Sequence, residues 1–440
     1  MRRTRWNRIK KLAAIGMGAF FVAACGSAAP ATTSSMAPSP KGASSTSPIR
    51  IGLILPLTGS FSAEGIPIER GFQLYFNQIH NQVDGHPIQL IVADGQGSPA
   101  VSLTKAKQLV ENDHVNLLTG IVNTASAYAV APYIRQAKVP LVISGDAGAE
   151  DLLINPKFTS PYLVRVSQIL TSLTDPMAKY LYSRGIRQVA TVASDYAGGN
   201  ETIGGFDSTF IKLGGRVIQE EWPPVGTTNY GPYISQLNPN AQAVVTFLPG
   251  SDGLHFAQQA SQYGLKTPLA DIFGVMSFET NLQQLGNKAD GIIADAVWSS
   301  QYDTAQNKAF IQAYQKAYNE PPIVDSAAGY AGAQFIVAAL KQVNGDVGDV
   351  SRLLNALYQT KVNTVEGPIS LDQYHDVIKN IYVYQIVNKN GQPGQKLLQV
   401  YDNVGLTWDR TVQEITAFPW TSVKGRFVNI TQSQLAQAVK

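Results

Sequence analysis

The apolar residues between Ile49 and Ile79 change their spacing once, and this change predicts a strand followed by a helix. Ile51–Leu55 is an apolar run without polar alternation, as is typical of a strand covered on both faces. After a loop at Leu57–Gly65, apolar residues recur at helical spacing from Pro67 onward. The loop after the carboxyl end of a parallel strand borders the ligand crevice, so Leu57–Gly65 is the first predicted binding surface.

Strand-like and helix-like segments then alternate with short connections as far as Val297, which predicts α/β architecture with parallel sheets. The pattern changes near the end, where Ile369–Leu371, Ile381–Asn388 and Lys396–Tyr401 predict antiparallel strands with a turn at Asn390-Gly391. Two α/β lobes with a β-rich end are therefore expected. The pattern gives no assignment for residues 403–440, which we treat as a C-terminal extension.

The first residues predict a signal rather than part of the fold. Basic residues in Met1–Lys11 precede an apolar run, Leu12–Ala24, that is too short for a stable transmembrane anchor. The run ends at Cys25 in a pattern that resembles the lipobox of bacterial lipoproteins, which implies a signal peptide at 1–24 and a lipid on Cys25. The alternative is an ordinary signal peptide with an accidental cysteine. Residues 25–48, rich in Ser, Ala, Thr and Pro, predict a disordered tether.

Composition narrows the class of protein further. Cys25 is the only cysteine, so the mature domain has no internal disulfide and depends on its core for stability. The formal charge of +3, less the six positive residues before Cys25, is −3. This balance gives no support for nucleic-acid binding or for a polybasic membrane patch.

Catalytic and metal-binding motifs are missing from the sequence. It contains no GxSxG, GxGxxG, P-loop, HExxH or CxxC pattern. The five histidines are scattered without the spacing of metal ligands. We therefore predict a protein that is not an enzyme and that has no metal site and no cofactor.

Six blocks of sequence carry a family resemblance. They are IRIGLILPLTGSFSAEGIPIERGFQL, HNQVDGHPIQLIVAD, GIVNTASAYAVAPYIRQAKVPLVIS, QASQYGLKTPL, AGYAGAQ and TVEGPISLD. In this order they resemble the branched-chain amino-acid (Leu/Ile/Val) binding proteins of bacterial ABC importers. The resemblance implies the type I periplasmic-binding-protein fold, in which two Rossmann-like lobes are joined by three crossovers and the ligand lies between them. Lobe one would be 49–165 with 299–365, and lobe two 166–298 with 366–402.

The resemblance also implies where a ligand carboxylate would bind. Asn123, Thr124 and Ala125 begin a predicted helix at the carboxylate-binding loop, with Thr124 at the family's serine position. The alternative is that Thr124 is only the N-cap of that helix. Asp146 and Ala147 resemble the second carboxylate-binding segment, through their backbone groups.

The sequence departs from the family pattern at four positions. Gly148 replaces a threonine, Gly198 a second tyrosine and Glu64 an aromatic residue, while Phe273 stands where an acid pairs the ligand's ammonium. An unpaired ammonium in a closed cleft costs several kcal/mol. Four acids could replace the missing partner: Glu64, Asp146, Asp252 and Asp271. Asp146 and Asp252 have helix-cap or turn-cap roles as alternatives.

Four aromatic residues could form the walls of the pocket, with burial in the core as the alternative for each: Phe61, Tyr196, Phe273 and Tyr330. Tyr196 and Tyr330 fall where the family lines its pocket.

These observations predict a solute-binding lipoprotein of an ABC importer, at the outer face of the cytoplasmic membrane or in the periplasm. It would be a monomer that captures a small amphipathic solute and presents it to a membrane permease. A branched-chain amino acid is the first expectation, and an aliphatic amide, a urea-like compound or an aromatic acid are alternatives. A ligand sensor feeding a membrane receptor and an exported hydrolase are the rival functions.

Overall fold

Two β-sheets form the framework of the computed structural model, which describes residues 47–168, 170–389 and 391–439. Cys25, the predicted signal peptide and all but the last two residues of the predicted tether lie outside the described residues, and so does Asn390. The first sheet contains β1 (Ile49–Leu55), β2 (Gln82–Val83), β3 (His86–Asp94), β4 (Leu117–Gly120), β5 (Leu141–Ile143) and β6 (Leu163–Arg165). Its order is β2-β3-β1-β4-β5-β6, and only the β2–β3 pair is antiparallel.

Both faces of β1 are buried, as its unbroken apolar run predicts. Ile54 packs in one cluster with Leu109, whereas Leu53 packs in another with Phe72. Successive side chains of a strand point to opposite faces, so two helical layers cover this sheet. The connecting helices are α1 (Ser62–Gln78), α2 (Pro99–Glu111) and α3 (Thr124–Ala137).

The second sheet begins after the chain leaves β6. It contains β7 (Gln188–Ala193), β8 (Arg216–Glu221), β9 (Ala243–Phe247), β10 (Leu269–Asp271), β11 (Ile293–Ala296), β12 (Val362–Thr364), β13 (Gly367–Leu371), β14 (Val377–Lys389) and β15 (Gln392–Val404). The order is β12-β13-β14-β11-β10-β9-β7-β8, with β15 paired to β14. Strands β7 to β11 run parallel, and the predicted antiparallel strands near the end of the chain are confirmed. The helices between its strands are α4 (Leu170–Ser183), α5 (Ala197–Lys212), α6 (Gly231–Ser235), α7 (Ser251–Gln262) and α8 (Glu279–Leu285).

Between β11 and β12 the chain returns to the first sheet and forms α9 (Ala305–Tyr318), α10 (Val324–Gln342) and α11 (Val350–Gln359). Helix α10 crosses α1 at very short range. A Cβ atom on Gly71 would lie 2.3 Å from the carbonyl oxygen of Ser326, and one on Gly329 would lie 2.1 Å from that of Ile68. The two glycines therefore permit this contact. We call the first sheet with α1–α3 and α9–α11 lobe one, and the second sheet with α4–α8 lobe two.

The chain passes between the lobes three times, and a buried ion pair ties one of these crossings. The Arg165 guanidinium at the end of β6 donates to Asp376, in the β13–β14 turn, with Nε–Oδ1 at 2.9 Å and Nη2–Oδ2 at 2.5 Å. Neither side chain is exposed. Two α/β lobes with parallel sheets and three crossovers confirm the predicted fold class.

The C-terminal segment, Gly405–Val439, packs on α5 and on the edge of β8. It contains α12 (Val412–Thr416) and α13 (Gln432–Ala438). The Trp420 ring is buried beside Phe418 and Phe427, and Gly204 of α5 lies beneath Val423 of the segment. Arg410 is buried and donates to Asp175 and Thr209 of lobe two. Residues that the apolar pattern did not assign thus cover one face of lobe two.

Helix α1 starts at Ser62, earlier than the sequence predicted. Pro67 lies inside the helix instead of at its first residue. The first turn fits against the end of β1 because Gly65 has no side chain: a Cβ there would be 2.1 Å from the carbonyl oxygen of Pro56. Glu64, expected in a loop, is therefore held on a helical turn. Among the described residues, no helix combines the length and apolar character needed to cross a membrane.

Candidate functional site

Loops of lobe one meet helix starts of lobe two in direct contacts. The ring of Phe61, which precedes α1, lies 5.7 Å from the ring of Tyr196, which precedes α5. The Glu64 carboxylate Oε1 accepts a hydrogen bond from the Gly250 N–H of lobe two at 2.8 Å, and Glu64 is buried. We use "the cleft" for the space bounded by the loops after β1, β4 and β5 and by the starts of α5 and α7.

Gly250 permits the close contact between the lobes. Its φ of 61° and ψ of −132° lie in a region that L-residues rarely adopt. A Cβ atom at this position would lie 2.4 Å from the carbonyl oxygen of Ser60 in lobe one. Glycine thus serves both the backbone conformation and the approach of the lobes.

Asp252 faces the cleft from the first turn of α7 and does not cap that helix. Helix α7 begins at Ser251 after Gly250, so the capping role considered for Asp252 is wrong. Its Oδ2 accepts from the Ser194 hydroxyl and from the Gly226 N–H, each at 3.0 Å. Burial raises the pKa of Asp252, and the Gly226 and Ser194 hydrogen bonds oppose that shift.

Asp146 points toward the crossing between the lobes. Its Oδ1 accepts from the Gln168 amide nitrogen at 2.7 Å, and its carboxyl is in hydrogen-bonding contact with that of Asp325, in the first turn of α10. The neighbouring Ala147 N–H donates to the Ile121 carbonyl at 3.3 Å, which joins the loops after β4 and β5. Asp146 therefore borders the cleft, and its side chain is held by Gln168 in the first crossing between the lobes.

The buried carboxyls share a strongly desolvated environment. Burial raises the pKa of Glu64 to about 8, and the nearby Asp146 and Asp252 carboxylates add to the shift. Burial also raises the pKa of Asp146, and it raises that of Asp325 well above its usual value, with Asp146 as the next cause. The pKa of the Tyr196 phenol is raised by burial and then by Glu64. Glu64 is consequently mostly protonated at pH 7, and burial disfavours the charged form of the other groups.

The carboxylate-binding loop predicted in lobe one forms the start of α3. Asn123 is the N-cap, since its Oδ1 accepts from the Ser126 N–H at 3.2 Å, so the cap role considered for Thr124 belongs to Asn123. Thr124 is the first residue of the helix and is buried. Ala125 lines a groove with residues of lobe two and of the C-terminal segment. The helix start that could receive a carboxylate is thus at the edge of the cleft, while ligand contact by these residues remains a prediction.

A second contact across the lobes lies behind that helix start. Glu201 of α5 is buried and accepts from the Tyr128 hydroxyl at 2.9 Å and from the Glu150 N–H at 3.2 Å, both in lobe one. Burial raises the pKa of Glu201 to about 8, with the Glu150 charge as the next cause. Carboxyl groups thus join the lobes on two sides.

Asp271 and Phe273 belong to a separate buried group within lobe two. The Asp271 carboxylate accepts from the Thr246 hydroxyl at 3.0 Å and from the Met276 N–H at 2.7 Å. Phe273 has a left-handed φ of 69°, and its N–H donates to Asp295 at 3.2 Å. The hydrogen bonds of Asp271 hold the end of β10 and the following turn, and they do not join it to Glu64 or Asp146.

Tyr330 lies within the helical layer of lobe one. Its hydroxyl donates to Gln78, and its ring packs against Tyr75 at 5.0 Å and Phe310 at 4.9 Å. The structure therefore places it among α1, α9 and α10, not with Phe61 and Tyr196.

The structure adds residues that the sequence did not indicate. Asp325 follows a proline-rich stretch as an acid in the first turn of a helix, which is an ordinary position for an acid. At the hinge, Glu366 interacts electrostatically with Asp325 and accepts from the Lys379 ammonium at 2.6 Å, while Gln168 donates to Asp146. Their only sequence signal was their nearness to the expected crossovers.

The side chains collected in the cleft are carboxyls, amides and aromatic rings, a set of groups typical of small-molecule sites. Within the described residues, no group of three or more His, Cys, Asp or Glu side chains could hold a metal ion.

Comparisons with known proteins agree with this geometry. Leu/Ile/Val-binding protein homolog 6 of Brucella melitensis is 27% identical over 366 residues, which are 81% of this chain and 92% of that protein. The solute-binding protein of an ABC transporter from Rhodopseudomonas palustris BisB5, solved in complex with 3,4-dihydroxybenzoic acid, is 30% identical. The match covers 81% of this chain and 98% of that one, with a TM-score of 0.76.

A second solute-binding protein, from Rhodopseudomonas palustris HaA2 in complex with p-hydroxybenzoic acid, is 28% identical. The match covers 82% of this chain and 98% of the Rhodopseudomonas palustris chain, with a TM-score of 0.75. The family model described as periplasmic binding protein matches residues 48–392. The chain belongs to the periplasmic binding protein family.

Proposed function

We propose that this protein is the extracytoplasmic solute-binding component of an ABC importer. It captures a small amphipathic solute between its lobes and presents the closed form to the permease. The observation that carries the proposal is the direct contact between the two lobes: Glu64 of lobe one bonds to Gly250 of lobe two, and Phe61 contacts Tyr196. A solute that touches both lobes stabilises the closed state, and no bond needs to be made or broken.

The relatives support a solute with a carboxylate and an apolar body. Two of them are named for complexes with hydroxylated benzoic acids and one for Leu, Ile and Val. In this chain the start of α3 at Thr124 offers helix N–H groups to a carboxylate. Phe61, Tyr196 and Phe247 offer aromatic surface, with the last two rings stacked at 6.5 Å. The solute is thus a branched-chain amino acid, a related amide or an aromatic acid.

The lipid anchor on Cys25 and the tether to residue 48 belong to the same proposal. They would keep the binding lobes at the outer face of the cytoplasmic membrane, within reach of the permease. Replacing Cys25 with serine should release the protein from membranes into the soluble fraction without changing solute affinity.

A thermal-shift screen tests the binding function. A solute that binds only the folded protein stabilises it by about 2.7 kcal/mol at 100 times its dissociation constant. We expect at least one amino acid, amide or aromatic acid to raise the melting temperature and to be recovered unchanged after incubation. A chemically altered solute would favour a hydrolase, and an unshifted melting temperature across the panel would contradict the proposal.

A further inference from the structure

Three buried acceptors form one group on the hinge side of the cleft. We call Asp146, Gln168 and Asp325 the acceptor triad. Asp146 follows β5, Gln168 lies in the first crossing between the lobes, and Asp325 lies in the first turn of α10. Gln168 and Asp325 have no exposed surface, and Asp146 is 8% exposed. Asp146 lies in the loop after β5, which bounds the cleft, so the triad adjoins the cleft.

The triad has more acceptor atoms than donors. No N–H or O–H of another described residue donates to Asp146 Oδ2, to Gln168 Oε1 or to either oxygen of Asp325, and the two carboxyls can bond to each other only by sharing a proton. One shared proton allows Asp325 to donate to Asp146, and the raised pKa of Asp325 agrees with this. The Gln168 oxygen still lacks a donor, because an amide oxygen cannot be satisfied by taking up a proton at neutral pH.

The hydrogen bond from Gln168 to Asp146 keeps the free amide oxygen of Gln168 close to the Asp146 carboxyl. Its amide nitrogen donates to Asp146 Oδ1 at 2.7 Å, and the planar amide holds its oxygen beside that carboxyl. The Lys379 ammonium at the hinge donates to Glu366 and, among the described residues, to none of the three members of the triad. A buried acceptor left without a donor costs about 1–3 kcal/mol, so several in one group favour an external donor.

We infer that the acceptor triad is a solute subsite that receives the hydrogen-bond-donating head group of the bound molecule, its N–H or O–H donors. This inference rests on the proposed function and adds a chemical requirement to it. The carboxylate end of the solute would bind toward the start of α3, and the donor end toward the hinge. An ammonium and a phenolic hydroxyl are two sources of the same donor chemistry.

Matched pairs of solutes separate those sources. Leucine and 4-methylpentanoate differ only in the ammonium, and 3,4-dihydroxybenzoate and benzoate differ only in the hydroxyls. Titration calorimetry on the full mature chain gives the affinity of each. We expect the donor-bearing member of at least one pair to bind about tenfold tighter or more, the effect of a hydrogen bond to a charged group.

Asp325→Asn tests the residue itself. The new amide can donate to Asp146 in place of the solute, so the affinity ratio within the preferred pair should fall about tenfold or more. Asp207→Asn is the matched control, because Asp207 is also fully buried with both oxygens unpartnered among the described residues, but lies on α5 beside Glu220. A merely structural effect weakens both members of a pair alike and leaves the ratio unchanged.

The outcomes are distinguishable. Equal binding of both members of each pair, or an unchanged ratio in Asp325→Asn, overturns the inference and leaves the binding function intact. If Asp325→Asn does not fold, Asp146→Asn also converts a carboxyl of the triad into an amide that can donate within it, still accepts from Gln168, and must lower the same ratio. If no solute in the thermal-shift panel stabilises the wild-type chain, the proposed function fails and the inference fails with it.

Discussion

Replacing Gly250 with alanine should weaken solute binding by preventing full closure of the lobes. The new Cβ would lie 2.4 Å from the carbonyl oxygen of Ser60, and real Cβ contacts are essentially never below 3.0 Å. The lobes must therefore separate locally by about 0.6 Å, the difference between these two distances. That displacement would stretch the 2.8 Å bond from the Gly250 N–H to Glu64 to about 3.4 Å, outside the usual range of about 2.7–3.2 Å for an N–H···O bond, and would weaken it.

The free energy of the weakened Gly250–Glu64 hydrogen bond can be converted into a fold-change in solute affinity. Because burial raises the pKa of Glu64 to about 8, its carboxyl is mostly neutral at pH 7, and a hydrogen bond to a neutral group contributes about 0.5–1.5 kcal/mol. About 1.4 kcal/mol corresponds to a factor of ten. Because Ser60 and Glu64 lie in lobe one and Gly250 in lobe two, the loss falls on the closed state alone. Solute affinity should therefore decrease about 2- to 12-fold in Gly250→Ala, measured by calorimetry with the tightest solute of the screen.

Gly264→Ala is the matched control for backbone strain. Gly264 also has a positive φ, 69°, but a Cβ there would meet no atom within 4 Å. Both variants should lose about 1–3 kcal/mol of folding stability from the positive φ, whereas only Gly250→Ala should lose affinity. Wild-type affinity in Gly250→Ala would refute the closure reasoning.

Three further predictions concern stability, measured by urea denaturation. Glu201 is buried with a pKa of about 8, whereas a glutamate of the unfolded chain releases its proton near pH 4.3. The stabilising contribution of the protonated group is therefore complete at low pH and is lost as the pH rises toward 8. Glu201→Gln should make the decrease of the unfolding free energy over this range shallower by about 1.4 kcal/mol per pH unit, and an unchanged slope would contradict this. Asp376→Ala should cost about 3–5 kcal/mol because it leaves the Arg165 guanidinium buried without its partner; a loss below about 1 kcal/mol would mean that the pair is dispensable. Trp420→Ala should cost about 3–5 kcal/mol with solute affinity unchanged, and a selective loss of affinity would place the C-terminal segment in the binding site.

Hydrophobic spacing predicted the architecture because each element follows a local rule. The unbroken run of β1 indicated a strand covered on both sides, and the alternation of elements indicated parallel sheets. The start of α1 was misplaced, since the approach of Gly65 to Pro56 is a tertiary contact that spacing does not reveal.

The site was harder to predict because its partners are distant in sequence. Glu64 and Gly250 are 186 residues apart, and no local pattern links them. An aromatic residue on an apolar helix has the same spacing whether it lines a pocket or packs in a core, so Tyr330 could not be distinguished from Tyr196. Asp325 resembled an ordinary acid at a helix start, and only the fold brings it to Asp146.

The distance between the lobes tests the central claim most directly. Spin labels on exposed Thr104 of lobe one and exposed Lys266 of lobe two, in a chain with Cys25 replaced by serine, report this distance by pulsed electron resonance. A saturating solute should convert a broad distribution into a single short distance that matches the closed structure. An unchanged distribution at saturation would contradict capture by lobe closure.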